Sequence, residues 1–418
     1  MGKTILLSCY SCAPGRGSEP GAGWNVSVAM AEVDATAEIH VLTTFESKAA
    51  IEAEIGAGRV PANMRFHFYD FALGRLMWRH FCKTSAVRIH YQLWQRLARR
   101  EVRRLHKIHN FSSAQHLTFV QYYSPSCLFG SGIPYIFGPV GGADVSPPQF
   151  LKRYPFKSRM FEHLRVFVTR TGERRPATKQ TIREAALVIA ATGAVKERCA
   201  AVRGGNANIL LRSNITVSPE EIAALPKPPE QSGKILCFFG VGRLISWKGF
   251  EMAVRAFAQA AIPNSRLMFI GDGAERPHME KLAAQLGISD KFAITGFLKR
   301  DAAFSKYAEG DVMLYPSHHD SSGTAIVEVM ASGRPVVCLD CAGPAVLVPD
   351  SAGVKVPVGT YDETVAGLAE AIRKLAEPDA RAAAGRAAAK YVRENYLCEQ
   401  FARFYLDLHE KIEKGESL

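Results

Sequence analysis

The sequence predicts an α/β protein of two domains, each built around a doubly wound parallel sheet. Three observations support this fold class. The chain has 418 residues, more than one hydrophobic core normally organises. Apolar strand-like runs alternate with helical patterns along most of the chain, which is typical of parallel strands joined by crossover helices. A segment rich in Pro and Glu, residues 218–233, separates two such series and is interpreted as an interdomain linker.

The first domain opens with a strand, a glycine-rich loop, a helix and a second strand. We place these elements at residues 4–8, 13–23, 24–32 and 38–44 respectively. The loop lacks GxGxxG spacing, and the second strand does not end in the acid that would hold a dinucleotide ribose. NAD or FAD is therefore not expected, although such glycines suit a loop that cradles a phosphate or a sugar.

The clearest helix of the first half covers residues 85–108. Its apolar residues recur every three or four positions: Val87, Tyr91, Trp94, Ala98, Val102 and Leu105. Its cations fall on the opposite side: Arg88, Arg96, Arg99, Arg100, Arg103, Arg104 and Lys107. One interpretation is a helix packed on its own domain with a solvated basic face, and the other is attraction to an anionic membrane. Nucleic acid is not expected, because no recognised nucleic-acid module accompanies the charge.

The net charge of +12 is concentrated in two segments. Residues 74–107 carry +9 and residues 151–183 carry +8, so the remainder of the chain is net negative. The second segment interleaves its cations with aromatic and aliphatic residues and is expected to extend the same basic surface. Further strands of the first domain are predicted at residues 113–120, 133–142, 185–191 and 208–211.

The second domain repeats the alternation of strands and helices. Its strands are predicted at residues 235–240, 266–270, 292–295, 312–315 and 335–339. Helices are predicted at 250–260 and 275–286, and a final amphipathic helix at 386–412. The predicted domains are residues 1–217, 218–385 and a C-terminal helical segment, 386–418.

Composition places the chain among soluble globular proteins, with 47% hydrophobic and 22% charged residues. No apolar run approaches the roughly 18 residues that span a bilayer. Nine cysteines, an odd number, fit a reducing compartment, so we expect a cytoplasmic protein. Two CxxC pairs, Cys9/Cys12 and Cys338/Cys341, allow either one zinc site or thiols that are buried or at a cleft edge.

Residues 315–336 are the stretch on which the functional interpretation centres. A strand ends at Tyr315, a polar loop follows, and a helical pattern then begins, so free backbone N–H groups are available to an anion or a sugar hydroxyl. After the first strand of the second domain come Arg243 and Lys248, five residues apart and suited to a diphosphate. Both loops follow strands, at the sheet edge where such folds bind ligands.

The stretches GVGRLISWKGFEMAVRAF, LMFIGDGAE, FAITGFLKRD and YPSHHDSSGTAIVEVMASGRPVV, in this order and spacing, resemble the retaining nucleotide-sugar glycosyltransferases of family four. The N-terminal CAPGRGSEPGAGW and the later QHLTFVQ and IPYIFGPVGG are similar to its bacterial members. The resemblance implies a GT-B fold, with two Rossmann-like domains facing a cleft and a C-terminal helix that crosses back to the first domain.

The resemblance also assigns roles to residues. Arg243 and Lys248 would hold the donor diphosphate and stabilise the leaving group. Glu328 would match the second acid of the Glu-x7-Glu motif and bind the ribose, whereas Asp320 stands at the first position, where the family usually has Glu. His116 would lie near the reacting sugar. The remaining expected donor contacts are Gly21, Gly23, Gly242, Ser321, Ser322, Gly323 and Thr324.

We expect neither a metal nor another cofactor, because cations and a helix dipole can neutralise the diphosphate and no DxD triplet is present. A metal cluster of His318, His319 and Asp320 is the alternative. The expected activity is hexosyl transfer with retention, by same-face attack, to a glycan or lipid-linked acceptor at the inner membrane face. The alternatives are a sugar-nucleotide epimerase or phosphorylase on the same fold and a non-catalytic protein that binds membranes or polyanions.

Overall fold

The computed structural model describes residues 3–16, 18–71, 87–119, 121–228, 235–416 and 418. The chain forms two compact units. The first unit comprises residues 1–143, 167–216 and 398–418, and the second comprises residues 144–166 and 217–397. The predicted boundary at 217/218 lies within one residue of the observed one. Residues 144–166 join the second unit, contrary to the prediction. The predicted segment 386–418 is divided, since residues 386–397 belong to the second unit and the last helix joins the first unit, as the resemblance implies.

The first unit contains a seven-stranded sheet in which all neighbouring strands are parallel. Its order is β3-β2-β1-β4-β5-β6-β7. In chain order, β1 to β7 are Thr4–Ser8, Glu38–Thr43, Met64–Phe68, Ser113–His116, Tyr135–Val140, Leu187–Ala190 and Ile209–Leu211. Its helices are Ser18–Val33, Lys48–Gly56, Val87–His109, Pro176–Glu184, Gly193–Arg203 and Cys398–Lys414. The helix Phe156–Arg174 spans the boundary between the two units.

The second unit contains a six-stranded parallel sheet in the order β10-β9-β8-β11-β12-β13. Strands β8 to β13 are Leu236–Val241, Ser265–Ile270, Phe292–Ile294, Val312–Tyr315, Val336–Leu339 and Gly353–Val356. Its helices are Pro148–Leu151, Pro219–Ala224, Phe250–Ala260, Arg276–Gln285, Arg300–Tyr307, Thr324–Ala331, Ala342–Leu347, Tyr361–Ala376 and Pro378–Asn395. Short 3₁₀ turns lie at Ser246–Lys248 and Ser289–Lys291.

Both sheets confirm the predicted doubly wound α/β fold. Central strands such as β11 and β12 are buried along their whole length, as expected for parallel strands covered by helices on both faces. Two strands were not predicted, β3 and β13, and both lie at a sheet edge. Polar residues interrupt both sequences, Arg65 and His67 in β3 and Lys355 in β13, so neither forms a continuous apolar run that would predict a strand.

The first helix corrects the prediction for the glycine-rich loop. The helix begins at Ser18 rather than at residue 24, so Gly21 and Gly23 are helical residues. A Cβ on Gly21 would lie 1.8 Å from the carbonyl oxygen of Arg16, and one on Gly23 would lie 2.6 Å from that of Ser11. These glycines therefore let the helix pack closely against the segment that precedes it. Gly17, within the predicted loop, lies outside the described residues.

Two other predicted segments also differ. The single helix expected at 386–412 is interrupted, because one helix ends at Asn395 and another begins at Cys398. The predicted linker contains a short helix, Pro219–Ala224, whose capping box pairs Ser218 with Glu221. Residues 229–233 of that linker lie outside the described residues, as do Val120 and residues 74–86 of the first basic segment.

The basic helix Val87–His109 packs as its periodicity predicts. Tyr91, Trp94, Ala98, Val102 and Leu105 are buried in the first unit, and Val87 is half-buried. No helix within the described ranges is long and apolar enough to cross a membrane.

Candidate functional site

The candidate site lies at the centre of the second sheet. Strands β8 and β11 are neighbours there, and the strand order reverses between them, since β9 and β10 follow on one side and β12 and β13 on the other. Loops that leave the carboxyl ends of two such strands diverge and open a crevice, which is where doubly wound sheets bind ligands. The β8 loop carries Arg243 and Lys248, and the β11 loop carries Asp320.

The two loops are held together by backbone contacts. The hydroxyl of Ser317 and the backbone N–H of His318 both donate to the carbonyl oxygen of Trp247, at 3.2 and 3.3 Å. Gly249 makes this approach possible, because a Cβ there would lie 2.2 Å from the carbonyl oxygen of Pro316. Its φ of +69° also favours glycine. The close approach of the two loops therefore depends on glycine at position 249.

Lys248, Tyr315 and Asp320 form a compact polar triangle. The ammonium of Lys248 donates to the Tyr315 hydroxyl at 2.7 Å and to Oδ2 of Asp320 at 2.7 Å. The Tyr315 hydroxyl donates to the same carboxylate oxygen, also at 2.7 Å. The side chains of Lys248 and Asp320 are only 15% and 17% exposed. A cation and an anion are thus held in a partly dehydrated setting, where charges interact more strongly than in water.

The triangle sets the charge state of Asp320. Burial alone would raise the pKa of this carboxyl, but the adjacent Lys248 ammonium and the hydrogen bonds more than offset it, so the pKa lies below its ordinary value. Burial, followed by the carboxylate of Asp320, raises the pKa of Tyr315 well above its usual range. At neutral pH the site therefore contains an ionised Asp320 beside a protonated tyrosine.

Arg243 differs from Lys248 in its surroundings. Its side chain is exposed and forms no ion pair with any residue that the structure describes. Gly242 precedes it with a φ of +141°, and its carbonyl oxygen lies 2.0 Å from where a Cβ of Gly271 would stand. The loops after β8 and β9 therefore approach closely through glycines, leaving the Arg243 guanidinium free to contact a ligand.

The helix Thr324–Ala331 begins directly after the polar loop. Gly323 is its N-cap residue, and Ser321, Ser322 and Thr324 flank the helix start in half-buried positions. The Ser321 hydroxyl donates to Oδ2 of Asp144 at 3.2 Å, within the second unit. The loop and the first turn therefore combine hydroxyls with the positive end of a helix dipole, an arrangement suited to anionic or hydroxylated ligands.

Glu328 is buried inside that helix and has two partners. Arg300 donates to Oε1 at 3.0 Å, and the Tyr307 hydroxyl donates to Oε2 at 3.1 Å. Burial raises the pKa of Glu328, although the Arg300 guanidinium partly offsets the effect. Arg300 also pairs with Glu221 at 2.7 Å. The carboxylate is therefore positioned by a cation that is itself shared between two acids.

His116 lies in the core of the first unit. Its ring has no exposed surface, Nε2 lies 3.2 Å from the Tyr91 hydroxyl, and Nδ1 lies 3.0 Å from the Ser126 hydroxyl. Burial lowers its pKa to about 4, so the ring is neutral at physiological pH. Both ring nitrogens are thus engaged by the unit's own side chains, and the role expected near a sugar stays a prediction.

The predicted metal alternatives are not assembled. Among the described residues, neither His318, His319 and Asp320 nor the cysteine pairs form a cluster with metal-ligating geometry. His318 is buried, and its Nε2 is hydrogen-bonded to the Tyr154 hydroxyl. Burial raises the pKa values of Cys9 and Cys341 to about 12, as expected for inert thiols.

Sequence reasoning missed several residues that organise this site. The apolar run predicts Tyr315 only as the end of a strand, although a tyrosine next to a polar loop can direct its hydroxyl there. Arg300 and Tyr307, which hold Glu328, stand on a separate helix and carry no spacing signal toward it. Asp144 is remote in sequence from Ser321, and only the fold brings the two together.

The sequence is similar to those of known glycosyltransferases. The sequence model of the family described as glycosyl transferases group 1 matches residues 222–391. The 2-deoxystreptamine glucosyltransferase of Streptomyces kanamyceticus is 36% identical over 131 residues, which is 30% of this chain and 33% of that protein. The lipopolysaccharide core biosynthesis glycosyltransferase LpsD of Rhizobium meliloti is 28% identical over 208 residues, or 48% and 58% respectively. The chain therefore covers less than two thirds of either relative.

Solved structures agree over nearly the whole chain. The lipopolysaccharide outer core galactosyltransferase WaaB aligns with a TM-score of 0.63 and 15% identity, over 98% of this chain and 99% of that one. Anabaena HepE, in complex with UDP and glucose, aligns with a TM-score of 0.57 and 17% identity, over 98% and 100%. At such identities the likeness establishes the fold. With its two doubly wound sheets the chain has the GT-B fold, and its residues 222–391 match the group 1 glycosyltransferase family.

Proposed function

We propose that this protein is a retaining glycosyltransferase that moves a hexosyl group from a nucleotide diphosphate sugar to a glycan or lipid-linked acceptor. The observation that carries the proposal is the triangle of Lys248, Tyr315 and Asp320 at the reversal point of the second sheet. It holds an ammonium beside an exposed arginine and a helix N-terminus. Such a combination suits a ligand with two phosphates and a sugar.

The proposed mechanism assigns the leaving diphosphate to Arg243 and Lys248. As the bond between the anomeric carbon and the phosphate oxygen breaks, its electrons pass to that oxygen, and the two cations stabilise the developing charge. The acceptor oxygen attacks the same face of the anomeric carbon, and its proton passes to the departing phosphate. Asp320 orients the ammonium, and we assign it a hydrogen bond to a sugar hydroxyl. Glu328 binds the ribose.

The donor and acceptor classes rest on the relatives. Anabaena HepE has been solved with UDP-glucose, and LpsD and WaaB are named for lipopolysaccharide core synthesis. We extend these classes to this chain as a nucleotide diphosphate sugar donor and a cell-surface polysaccharide or glycolipid acceptor. No metal is required in this scheme, because cations from the chain face the diphosphate. The proposed location is the cytoplasm, at the inner face of the plasma membrane.

Contact with an anionic membrane is supported by the helix Phe156–Arg174. Its exposed face carries large apolar residues: Phe156, Met160, Phe161, Leu164, Phe167 and Val168, each at least 46% exposed. Its buried residues include the polar Glu162 and Thr169. In most surface helices the apolar residues are buried and the polar ones exposed, and here the apolar residues are the exposed ones. Exposed cations on the same helix include Lys157, Arg170 and Arg174. An apolar face bordered by cations is typical of helices that lie in the headgroup region of anionic bilayers.

The basic helix Val87–His109 is a weaker candidate for the same contact. Its apolar stripe is buried, and several of its cations already have partners. Arg99 lies 3.7 Å above the ring centre of Phe129, and Arg104 pairs with Glu101 at 2.6 Å. Arg103 donates to the carbonyl oxygen of Gly130. We therefore assign this helix an electrostatic contribution and the helix Phe156–Arg174 the apolar contribution to membrane binding.

The proposed activity is tested with a panel of UDP-, GDP- and ADP-sugars, by measuring thermal stabilisation and the release of nucleoside diphosphate. A transferase releases nucleoside diphosphate, and adding an extract that contains glycan or lipid-linked acceptors increases the rate. The activity should persist in EDTA. An epimerase would release an altered sugar nucleotide, and a phosphorylase would require inorganic phosphate. No binding and no turnover with any donor would favour the non-catalytic alternative.

A further inference from the structure

Three histidines of the first unit meet at the side of its sheet. His40 lies on β2, His67 lies on β3, and His109 is the last residue of the helix Val87–His109. In the parallel pairing, Arg65 is opposite His40 and His67 is opposite Leu42. Side chains alternate along a strand, so His40 and His67 point to the same face of the sheet. The end of the helix supplies the third ring, that of His109, which contacts the other two.

The geometry of the three rings is compact. Nδ1 of His40 lies 2.8 Å from Nε2 of His67, and the two rings are nearly parallel, with their centres 5.1 Å apart. The ring centre of His109 lies 4.4 Å from that of His40 and 5.4 Å from that of His67. One potential ligand atom from each residue lies within 4.8 Å of the other two.

The buried histidine has a polar atom that the fold leaves unsatisfied. His40 has no exposed surface, and its Nε2 has no hydrogen-bond partner among the described residues. Oε1 of Glu38 is the nearest acid, at 3.5 Å. A carboxylate beside the second nitrogen of a ligating imidazole is the arrangement that orients histidine in metal sites. Nε2 is therefore the nitrogen that faces Glu38, and Nδ1, which faces His67, is the nitrogen available as a ligand.

We propose that His40, His67 and His109 bind a divalent transition-metal ion of the zinc class. Imidazole nitrogens suit Zn²⁺ better than Mg²⁺ or Ca²⁺, which prefer oxygen. With bond lengths of about 2.0–2.1 Å, tetrahedral Zn²⁺ places its nitrogens about 3.3 Å apart. The nitrogens of His40 and His67, now 2.8 Å apart, must separate slightly, and the wider separations, of up to 4.8 Å, must shorten by at most about 1.5 Å. His67 and His109 are half-buried, which leaves a route for the ion and a fourth position for water.

The site has a structural role. The helix ends at His109, shortly before the amino end of β4, so this residue lies away from the carboxyl ends of the central strands, where doubly wound sheets bind ligands. An ion here joins the end of that helix to β2 and to the edge strand β3. It stabilises the first unit and leaves the donor chemistry of the second unit unchanged, so the inference does not depend on the proposed function.

The test uses the untagged full-length chain, freed of metal with a chelator and titrated with Zn²⁺ by calorimetry. We expect one equivalent to bind and to raise the melting temperature, whereas Mg²⁺ at the same concentration does neither. His67→Gln and His109→Gln should each weaken Zn²⁺ binding at least about tenfold. His106→Gln, a half-buried histidine of the same helix, is the matched control and should bind normally.

Circular dichroism of the metal-free variants checks that each one folds. Co²⁺ provides a second signal, because thiolate ligands add an intense near-ultraviolet band that imidazole ligands lack. The inference is wrong if the wild type binds no Zn²⁺, if both glutamine variants bind it as tightly as the wild type, or if bound Co²⁺ shows the thiolate band.

Discussion

Lys248 donates a 2.7 Å hydrogen bond to Asp320, across two loops that leave neighbouring strands of the second sheet. Tyr315 donates to the same oxygen and accepts from the same ammonium, so neither charged group is held by a single contact. The cation that the proposed mechanism assigns to the diphosphate is therefore positioned before a ligand arrives. Such preorganisation reduces the cost of arranging charge when the bond to the leaving group breaks.

Removing the ammonium should destabilise the fold in a pH-dependent way. In the wild type the pKa of Asp320 lies below its ordinary value of 3.8, so its stabilising contribution is present above that pH and is lost as the pH falls through the lower folded-state pKa. In Lys248→Ala the ammonium no longer offsets the effect of burial, so the pKa of Asp320 should be higher than in the wild type. The free energy of unfolding should fall by about 1–3 kcal/mol at pH 7.

Urea unfolding at pH 7 and at pH 3.5 measures this effect. The difference between wild type and Lys248→Ala should shrink at the lower pH, where Asp320 is increasingly protonated in the unfolded state and in the variant. Lys291→Ala, which removes an exposed cation of the same unit, is the control. A difference that is constant between the two pH values would show that Lys248 does not set the charge state of Asp320.

Replacing Gly249 should separate the two loops. Ala at this position meets an unfavourable φ of +69° and a carbonyl oxygen at 2.2 Å. Gly287→Ala is the matched control, because its φ is +68° but no atom lies within 4 Å of the added Cβ. The control should cost about 1 kcal/mol of unfolding free energy, and Gly249→Ala should cost more and should also lower turnover. Equal costs would contradict the close approach to Pro316.

Glu328→Gln should weaken donor binding about tenfold without unfolding the protein. The change keeps the size of the side chain but removes the negative charge, and a hydrogen bond to a charged group contributes about 1.5 kcal/mol or more. Calorimetry with the preferred sugar nucleotide gives the dissociation constant. Glu280→Gln, at an exposed ion pair, should bind normally. An unaltered constant in Glu328→Gln would remove Glu328 from the donor site.

Membrane binding should depend on the exposed apolar face of the helix Phe156–Arg174. The double variant Leu164→Ser/Phe167→Ser removes two exposed apolar side chains and keeps every cation. Its partitioning onto vesicles with anionic lipid should fall about tenfold or more, and that of Ile55→Ser, an exposed apolar residue elsewhere, should not. Binding of the wild type should also weaken with salt. If the double variant binds vesicles as tightly as the wild type, the apolar face does not contribute, and only the electrostatic contribution to membrane binding remains.

The predictable part of the fold was the part with a strong local pattern. Buried central strands such as β11 produce apolar runs, and the helix Val87–His109 produces a regular stripe, so both were placed within a few residues. The edge strands β3 and β13 are too polar to stand out. The start of the first helix at Ser18 was missed because its glycines are typical of loops, whereas here they serve close packing.

The site was predictable in its loops but not in its contacts. Arg243, Lys248, Asp320 and Glu328 lie on elements of the second unit that the sequence predicted. The pairing of Lys248 with Asp320 depends on which strands are neighbours, and sequence spacing does not contain that information. The same holds for Arg300, which reaches Glu328 from another helix.

The most direct test of the account is the release of nucleoside diphosphate from the preferred sugar nucleotide by wild type and Lys248→Ala. The account predicts clear release by the wild type, dependent on acceptor and insensitive to EDTA, and a loss of about 10²–10³-fold in kcat for the variant. Lys291→Ala should match the wild type. Equal turnover by wild type and Lys248→Ala, with both proteins folded, would contradict the account.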